Sequence, residues 1–244
     1  MKKTIKALLN KFGYKICKTS TDINYSNTND IRKGLARCQQ RNIDVNTVID
    51  VGASNGLWSE ICMANYPKSK YYLIEAQKEH ENSLNSFKLK HSNVDFKIVA
   101  AGNREGFILF DNTDLFGGLA LDEETPDRNL ITVPVTTIDV EVLNNSLKPP
   151  FLIKLDTHGY EIPILEGAAE TLKLANIVII EVYNFVIADK SLRFWEMCQY
   201  MEKLGFLPID LVDILHTKKD NSLWQFDLIF VKNNRVEFEN PNYG

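Results

Sequence analysis

Apolar residues along this chain recur in two periods, and segments of one period alternate with segments of the other. TVIDVGA (47–53) is a continuous apolar run ending in glycine, the pattern of a parallel strand covered on both faces. LWSEICMANY (57–66) reads as a helix, with Pro67 just beyond it. YYLIEA (71–76) reads as a strand, KEHENSLNSFKLKH (78–91) as a helix and VDFKIVAA (94–101) as a third strand. The helical period is lost over 106–139, where GFILFDN and LITVPVTTID are strand-like and flank a loop with Gly117 and Gly118. That pattern predicts a hairpin-like insertion, with the two glycines as a candidate lid hinge. The alternation resumes with FLIKLD (151–156) as a strand and YEIPILEGAAETL (160–172) as a helical stretch carrying Pro163 near its first turn. IVIIEV (177–182) follows as a strand, and SLRFWEMCQYMEKLGF (191–206) as a helix closed by Gly205. The last strands, LPIDLVDIL (207–215) and FDLIFVKN (226–233), are joined by too few residues for a helical crossover and are expected to pair antiparallel. Five parallel-type strands with intervening helices, then an antiparallel pair, predict an α/β doubly wound sheet.

Residues 1–30 read as a basic helix and a linker, and 31–244 as one domain that opens with a helix around 30–42. In the first segment Ile5, Leu8, Leu9, Phe12 and Ile16 recur at helical spacing. Lys6, Asn10 and Lys11 break the apolar run that a signal peptide needs. The reading is a helix packed on the domain; its lysines offer a peripheral membrane contact as the alternative. Apolar residues at 44% exclude a disordered chain. The 28 basic against 32 acidic residues give −4, which argues against a nucleic-acid partner, since phosphate binding needs a basic surface. Cys17, Cys38, Cys62 and Cys198 form no C-x-x-C pair, so neither a zinc site nor a disulfide framework is expected, and a cytoplasmic location follows. No stretch is apolar enough for a bilayer span.

Asp50-Val51-Gly52-Ala53-Ser54-Asn55-Gly56 sits between the first strand and the first helix, where glycine permits a sharp turn and a close ligand. Ser54 stands where a dinucleotide fingerprint has its second glycine, and the acid at Asp50 would repel a pyrophosphate but suit an α-amino group. Both disfavour a nicotinamide dehydrogenase. Glu75 ends the second strand, where an acid accepts ribose hydroxyls. An adenosyl group bearing an amino acid fits this set, and that ligand is S-adenosylmethionine. Ala53 and Asn55 in the turn, and Ala101 and Asn103 after the third strand, complete the expected cofactor residues, with Asn103 directed at the adenine edge.

Lys154 and Asp156 are two apart on one strand and share a face. A lysine in an apolar strand needs a partner, so pairing with Asp156 or Glu181 is one reading and contact with substrate another. Asp156, His158 and Glu181 lie at carboxyl ends of strands, where open α/β sheets bind ligands. Asp156 and Glu181 are candidate bases (Asp156 also for the cofactor), with His158 as base or acceptor-positioning group. No metal is required, although Asp156 and Glu181 with waters would suit magnesium. Asp227 and Trp224, with the loop from His216 to Gln225, are candidates to face substrate. His80 and His91 are expected on a helix facing solvent.

VIDVGASNG (48–56), LIEAQ (73–77), VPVTTID (133–139), FLIKLDTHGYEIPILEGA (151–168) and FDLIFV (226–231) together resemble the FkbM-type family of class I S-adenosylmethionine-dependent methyltransferases. The most diagnostic part is the K-x-D-x-x-G-x-E-x-x-x-L-x-G-A pattern; the chain departs from the commoner form at His158, Pro163 and Ala76-Gln77. The resemblance implies a Rossmann-like seven-stranded, mostly parallel sheet with a terminal antiparallel strand. It also implies O-methylation of a saccharide or other small metabolite. A protein or nitrogen acceptor, and a catalytically idle fold serving as a binding partner, are the other readings. Acceptor choice belongs to loops 103–130 and 183–190, and the oligomeric state is not set by these patterns.

Overall fold

The computed structural model describes residues 29–121, 130–189 and 191–239. The expected N-terminal helix, nearly all of its linker, and Cys17 lie outside the described residues. The chain enters through α1 (Ile31–Gln40), capped by the Asp30 carboxylate on the Lys33 amide. It then builds β1 (Thr47–Val51), α2 (Leu57–Met63), β2 (Lys70–Glu75), α3 (Glu81–Lys90) and β3 (Val94–Ile98). A smaller unit follows: β4 (Ala100–Ala101), β5 (Gly106–Asp111), β6 (Leu119–Leu121), β7 (Leu130–Thr136) and α4 (Ile138–Asn144). The last part is β8 (Phe151–Leu155), α5 (Glu161–Glu166), α6 (Ala169–Lys173), β9 (Ala175–Tyr183), α7 (Phe194–Lys203), β10 (Phe206–His216), β11 (Leu223–Lys232) and α8 (Val236–Glu239).

Seven strands form one sheet in the order β10-β11-β9-β8-β1-β2-β3. The five from β9 to β3 are parallel, and β11 runs antiparallel to both its neighbours. This is the Rossmann-like, doubly wound arrangement read from the sequence. The near-continuous apolar strands explain it, because side chains alternate between two separate cores. Ile49, Val51, Ile153 and Leu155 bury into one, and Val48, Leu152, Ile177 and Ile179 into the other. At roughly 1.5–3 kcal/mol for each fully buried large aliphatic side chain, these layers are the main favourable term holding the sheet between its helices.

The insertion is a second sheet, β4-β7-β5-β6, rather than a lone hairpin. The expected third strand 94–101 divides at Val99, whose amide bonds the Glu75 carbonyl at 2.8 Å, and Ala100-Ala101 turns away to pair with β7. The strand expected to run to Asp139 stops at Thr136. Thr137 then caps α4 through its hydroxyl on the Val140 amide at 3.1 Å, a helix start hidden in a β-branched run. The expected helix 160–172 is two short helices, α5 and α6. At Gly167, between them, a Cβ would lie 2.0 Å from the Gly102 carbonyl oxygen, so the chain passes the smaller sheet where no side chain fits. The helix 78–91 begins as one 3₁₀ turn, Lys78–His80, before α3. No helix among the described residues is long and apolar enough to cross a membrane.

Glu141 of α4 ties the two sheets together. Its buried carboxylate accepts from Tyr72 of β2, Lys97 of β3 and Thr136 of β7. Burial works against its ionisation, but the Lys97, Thr136 and Tyr72 hydrogen bonds outweigh it and hold the carboxyl below its usual range. Glu141→Gln therefore lowers the unfolding free energy at pH 7 by about 1–3 kcal/mol in urea titrations. A depressed carboxyl stabilises above its unfolded pKa and loses that contribution as pH falls through the native value. The gap between parent and variant should accordingly narrow below about pH 4. A gap that stays constant down to pH 3 would contradict this account.

Candidate active site

The carboxyl ends of β1, β2, β8 and β9 open onto a cavity of about 370 Å³, roofed by the loop after β5. The glycine turn shapes its floor. Gly52 has φ +74°, and a Cβ there would sit 1.9 Å from the Asp156 carbonyl oxygen, so β1 and β8 approach closer than any side chain allows. Gly52 and Ser54 line the cavity; Ala53 is buried and Asn55 exposed, and neither lies on its wall. Asn55 instead accepts from the Leu57 amide, and Gly56, at φ +84°, begins α2.

Glu75 ends β2 on the cavity wall, and both of its carboxylate oxygens are held by backbone. Oε2 accepts from the Ser54 amide at 2.7 Å and Oε1 from the Gln77 amide at 2.8 Å. Each oxygen keeps a further lone pair for a ligand hydroxyl. Ala101 also lines the cavity, beside Val99 and Ala100. Asn103 does not. It is exposed, donates to Glu166 at 3.0 Å and borders a separate depression on the outer side of the smaller sheet.

At the other end of the cavity Asp156, His158 and Glu181 converge. His158 Nε2 lies 3.7 Å from Asp156 Oδ1 and 3.9 Å from Glu181 Oε2. These are ion-pair distances too long for hydrogen bonds, so the nitrogen keeps its lone pair or proton for another partner. One donor atom from each of the three lies within 4.8 Å of the others, a spacing that could also hold a metal ion. Glu181 accepts from Tyr183 and from Gln225, the latter also on the wall. Burial first, then the Asp156 carboxylate, push Glu181 up to about 8. Burial opposes ionisation of Asp156 too, but Lys154 and then His158 outweigh it and hold Asp156 below the usual range.

Lys154, Asp50 and Asp227 stand behind this wall rather than on it. Asp50 is fully buried; it accepts from Ser59 at 2.7 Å and lies 3.6 Å from Lys154 Nζ, itself 3.0 Å from Asp156 Oδ2. Asp227 sits opposite Glu181 in the β9–β11 register and is pushed up to about 7, chiefly by burial. Trp224 is on β11, not in a loop, with its ring 5.4 Å from that of Phe185 and off the cavity wall.

The loop with Gly117 and Gly118, expected as a lid hinge, does reach the cavity, with Gly118 on its wall; sequence reasoning missed what fastens it. His80, expected in solvent, is 3% exposed, with Nε2 2.9 Å from the Leu115 carbonyl and its ring 5.6 Å from Phe116. Gln77 donates Nε2 to the Asp114 and Leu115 carbonyls at 3.2 and 3.0 Å. Together the two side chains fasten the loop over the cavity. The departure from Glu-Pro to Ala76-Gln77 was the available signal, since proline has no such donor. His91 is half-buried against Phe87, not solvated.

A doubly wound sheet with its cavity at the strand carboxyl ends, between a glycine turn and an acid on the next strand, places the protein among the Rossmann-like methyltransferases. Comparison narrows the class: the sequence profile of the methyltransferase FkbM domain matches residues 50–208, and the chain belongs to that family of methyltransferases. In fold it is similar to methyltransferase FkbM from Methylobacillus flagellatus KT, at 18% identity and a TM-score of 0.51 over 76% of this chain. The match spans 43% of that protein, less than half its length. The Methanococcus jannaschii fibrillarin pre-rRNA processing protein matches at 15% identity and a TM-score of 0.49, over 78% of this chain and 68% of its own. A SAM-dependent methyltransferase from Aquifex aeolicus matches at 15% and 0.41, over 84% and 90%. No curated protein matches the sequence.

The raised Glu181 carboxyl has a consequence for stability. An acid that keeps its proton longer in the native state contributes fully below its unfolded pKa, and that contribution is lost as pH rises through the native value. The urea midpoint should fall between about pH 5 and pH 8. Glu181→Gln, which cannot ionise, should make that fall shallower. Identical pH slopes in parent and variant would remove Glu181 as its source.

Proposed function

We propose that the cavity binds S-adenosylmethionine and that the protein methylates a hydroxyl group of a saccharide or other small metabolite. One observation carries the reading: Glu75 and the Asp156–His158–Glu181 trio face the same cavity from opposite ends. The residues present suit that cofactor. Glu75 is pre-oriented by two amides with lone pairs to spare for ribose hydroxyls, and the Gly52 turn brings bare backbone to the floor. Ile74, Val99 and Ala100 give an apolar wall for a base, and Asp156 offers negative charge. When bound, the cofactor supplies a methyl group on a positively charged sulfur that leaves as a neutral thioether.

The protein's task is then alignment and proton removal. Asp156, kept ionised, stands beside His158 and favours the imidazolium formed when Nε2 takes the acceptor proton, the work of a general base, with Glu181 on the other side of the ring. Lys154 keeps Asp156 ionised for that purpose. The roof loop fastened by Gln77 and His80 covers the cavity and limits access of water. A hydroxyl acceptor is the choice because a base is built beside the cavity, and a hydroxyl needs one at neutral pH.

Isothermal titration should give saturable binding of S-adenosylhomocysteine and none of NAD. Glu75→Ala should weaken that binding by roughly 10- to 150-fold, the range for a hydrogen bond to a charged group. NAD binding, or an unchanged dissociation constant in the variant, would count against the reading. Methyl transfer from labelled S-adenosylmethionine to a saccharide panel should fall by about 10²–10⁴-fold in His158→Ala and persist in EDTA. Loss of activity in EDTA, restored by magnesium, would instead assign the trio to a metal.

A further inference from the structure

Glu161 is a buried acid that this mechanism leaves without a task. It is the first residue of α5, 4% exposed, and it is not on the cavity wall. Its Oε1 accepts from Thr157 Oγ1 at 3.1 Å and from the Gly159 amide at 2.9 Å. Those two donors lie on either side of His158. His158 has φ +52°, a left-handed conformation that costs a residue with a side chain about 1–2 kcal/mol and persists only where its surroundings enforce it. Gly159, at φ +102°, is wedged from the other side: a Cβ there would meet Ala188 and Ser191 at 2.9 and 3.1 Å. The loop is thus clamped between Ala188 and Ser191 on one side and one carboxylate oxygen on the other.

We propose that Glu161 is the positioning residue for His158, fixing the Thr157–Gly159 loop so that the imidazole stands between Asp156 and Glu181 at the cavity. The purpose of the clamp rests on the reading that His158 takes the acceptor proton. The Glu161 carboxylate hydrogen-bonds Thr157 and Gly159 rather than the imidazole itself, so its effect passes through the loop. The clamp needs an acceptor oxygen in place: both contacts are donated to Oε1, and a glutamine oxygen can receive both. An alanine at 161 leaves the Gly159 amide and the Thr157 hydroxyl without their acceptor and releases the strained turn.

The test reads the ring directly. The chain has four histidines, so ¹³Cε1-histidine labelling gives few signals, and the His158 signal is assigned by its loss in His158→Asn. Glu161→Ala should move the His158 signal toward the position of a solvent-exposed histidine while leaving His80, His91 and His216 in place. Glu161→Gln should keep it at the parent position, and Thr157→Val, which removes one of the two contacts, should move it part of the way. A general loss of structure would shift all the histidines together, which separates positioning from mere support of the fold. A parent-like His158 signal in Glu161→Ala overturns the proposal, as does a signal displaced equally in Glu161→Gln. If Glu161→Ala does not fold, a parent-like signal in Thr157→Val overturns it. Absence of S-adenosylhomocysteine binding to the parent protein is a different failure, which overturns the functional reading itself.

Discussion

The ammonium group of Lys154, buried at the centre of a parallel sheet, constrains everything around it. Desolvating a cation costs several kcal/mol, and the cost is met only by close anions with good geometry. Burial alone would lower the lysine's pKa, but Asp156 and then Asp50 raise it, and the side chain remains charged. The register fixes which anions are available: Asp50 is the β1 partner of Lys154, and Asp156 follows two residues later on the same face. Removing the lysine would leave Asp50 fully buried with only the Ser59 hydroxyl for company. The pair of aspartates is therefore a consequence of the cation, and the ligand-facing wall begins where the second aspartate emerges.

This constraint sorts the acids by task. Asp50 is consumed by Lys154 and Ser59 and has no path to a ligand, whereas Asp156 shares itself between Lys154 and the cavity. Glu181 and Asp227, opposite each other on adjacent strands, are not the acids paired to Lys154, and burial pushes both carboxyls upward despite its attraction. The cavity thus holds one carboxylate kept ionised and one inclined to stay protonated, with an imidazole between them. Carboxylates set apart in this way are what acid–base chemistry requires. A cationic ligand beside them would shift the balance toward the charged forms.

Much of this was legible in the sequence. Continuous apolar strands ending in Asp50 and Glu75 announced the parallel sheet and the end at which it binds ligands. The two-residue spacing of Lys154 and Asp156 announced a shared face. What stayed hidden depends on contacts between distant segments. His80 sits in a polar run of helical period, and only the arrival of Leu115 and Phe116 from the insertion buries it. Thr137 reads as strand, within a run expected to reach Asp139, because its hydroxyl cap is hidden in a β-branched sequence. Asn103 and Trp224 were placed by analogy of position, but the chain turns at Val99 toward the smaller sheet, and β11 continues through Trp224. Pattern reading resolves alternation along a strand, not where a loop folds back.

The central claim is that a single cavity takes the nucleoside at Glu75 and the reacting group at the Asp156–His158–Glu181 trio. A crystal structure of the protein with S-adenosylhomocysteine tests it most directly. The account predicts both ribose hydroxyls on the Glu75 carboxylate and the sulfur directed toward the trio, under the loop held by Gln77 and His80. A nucleoside bound in the outer depression beside Asn103, or a sulfur pointing away from the trio, would contradict it.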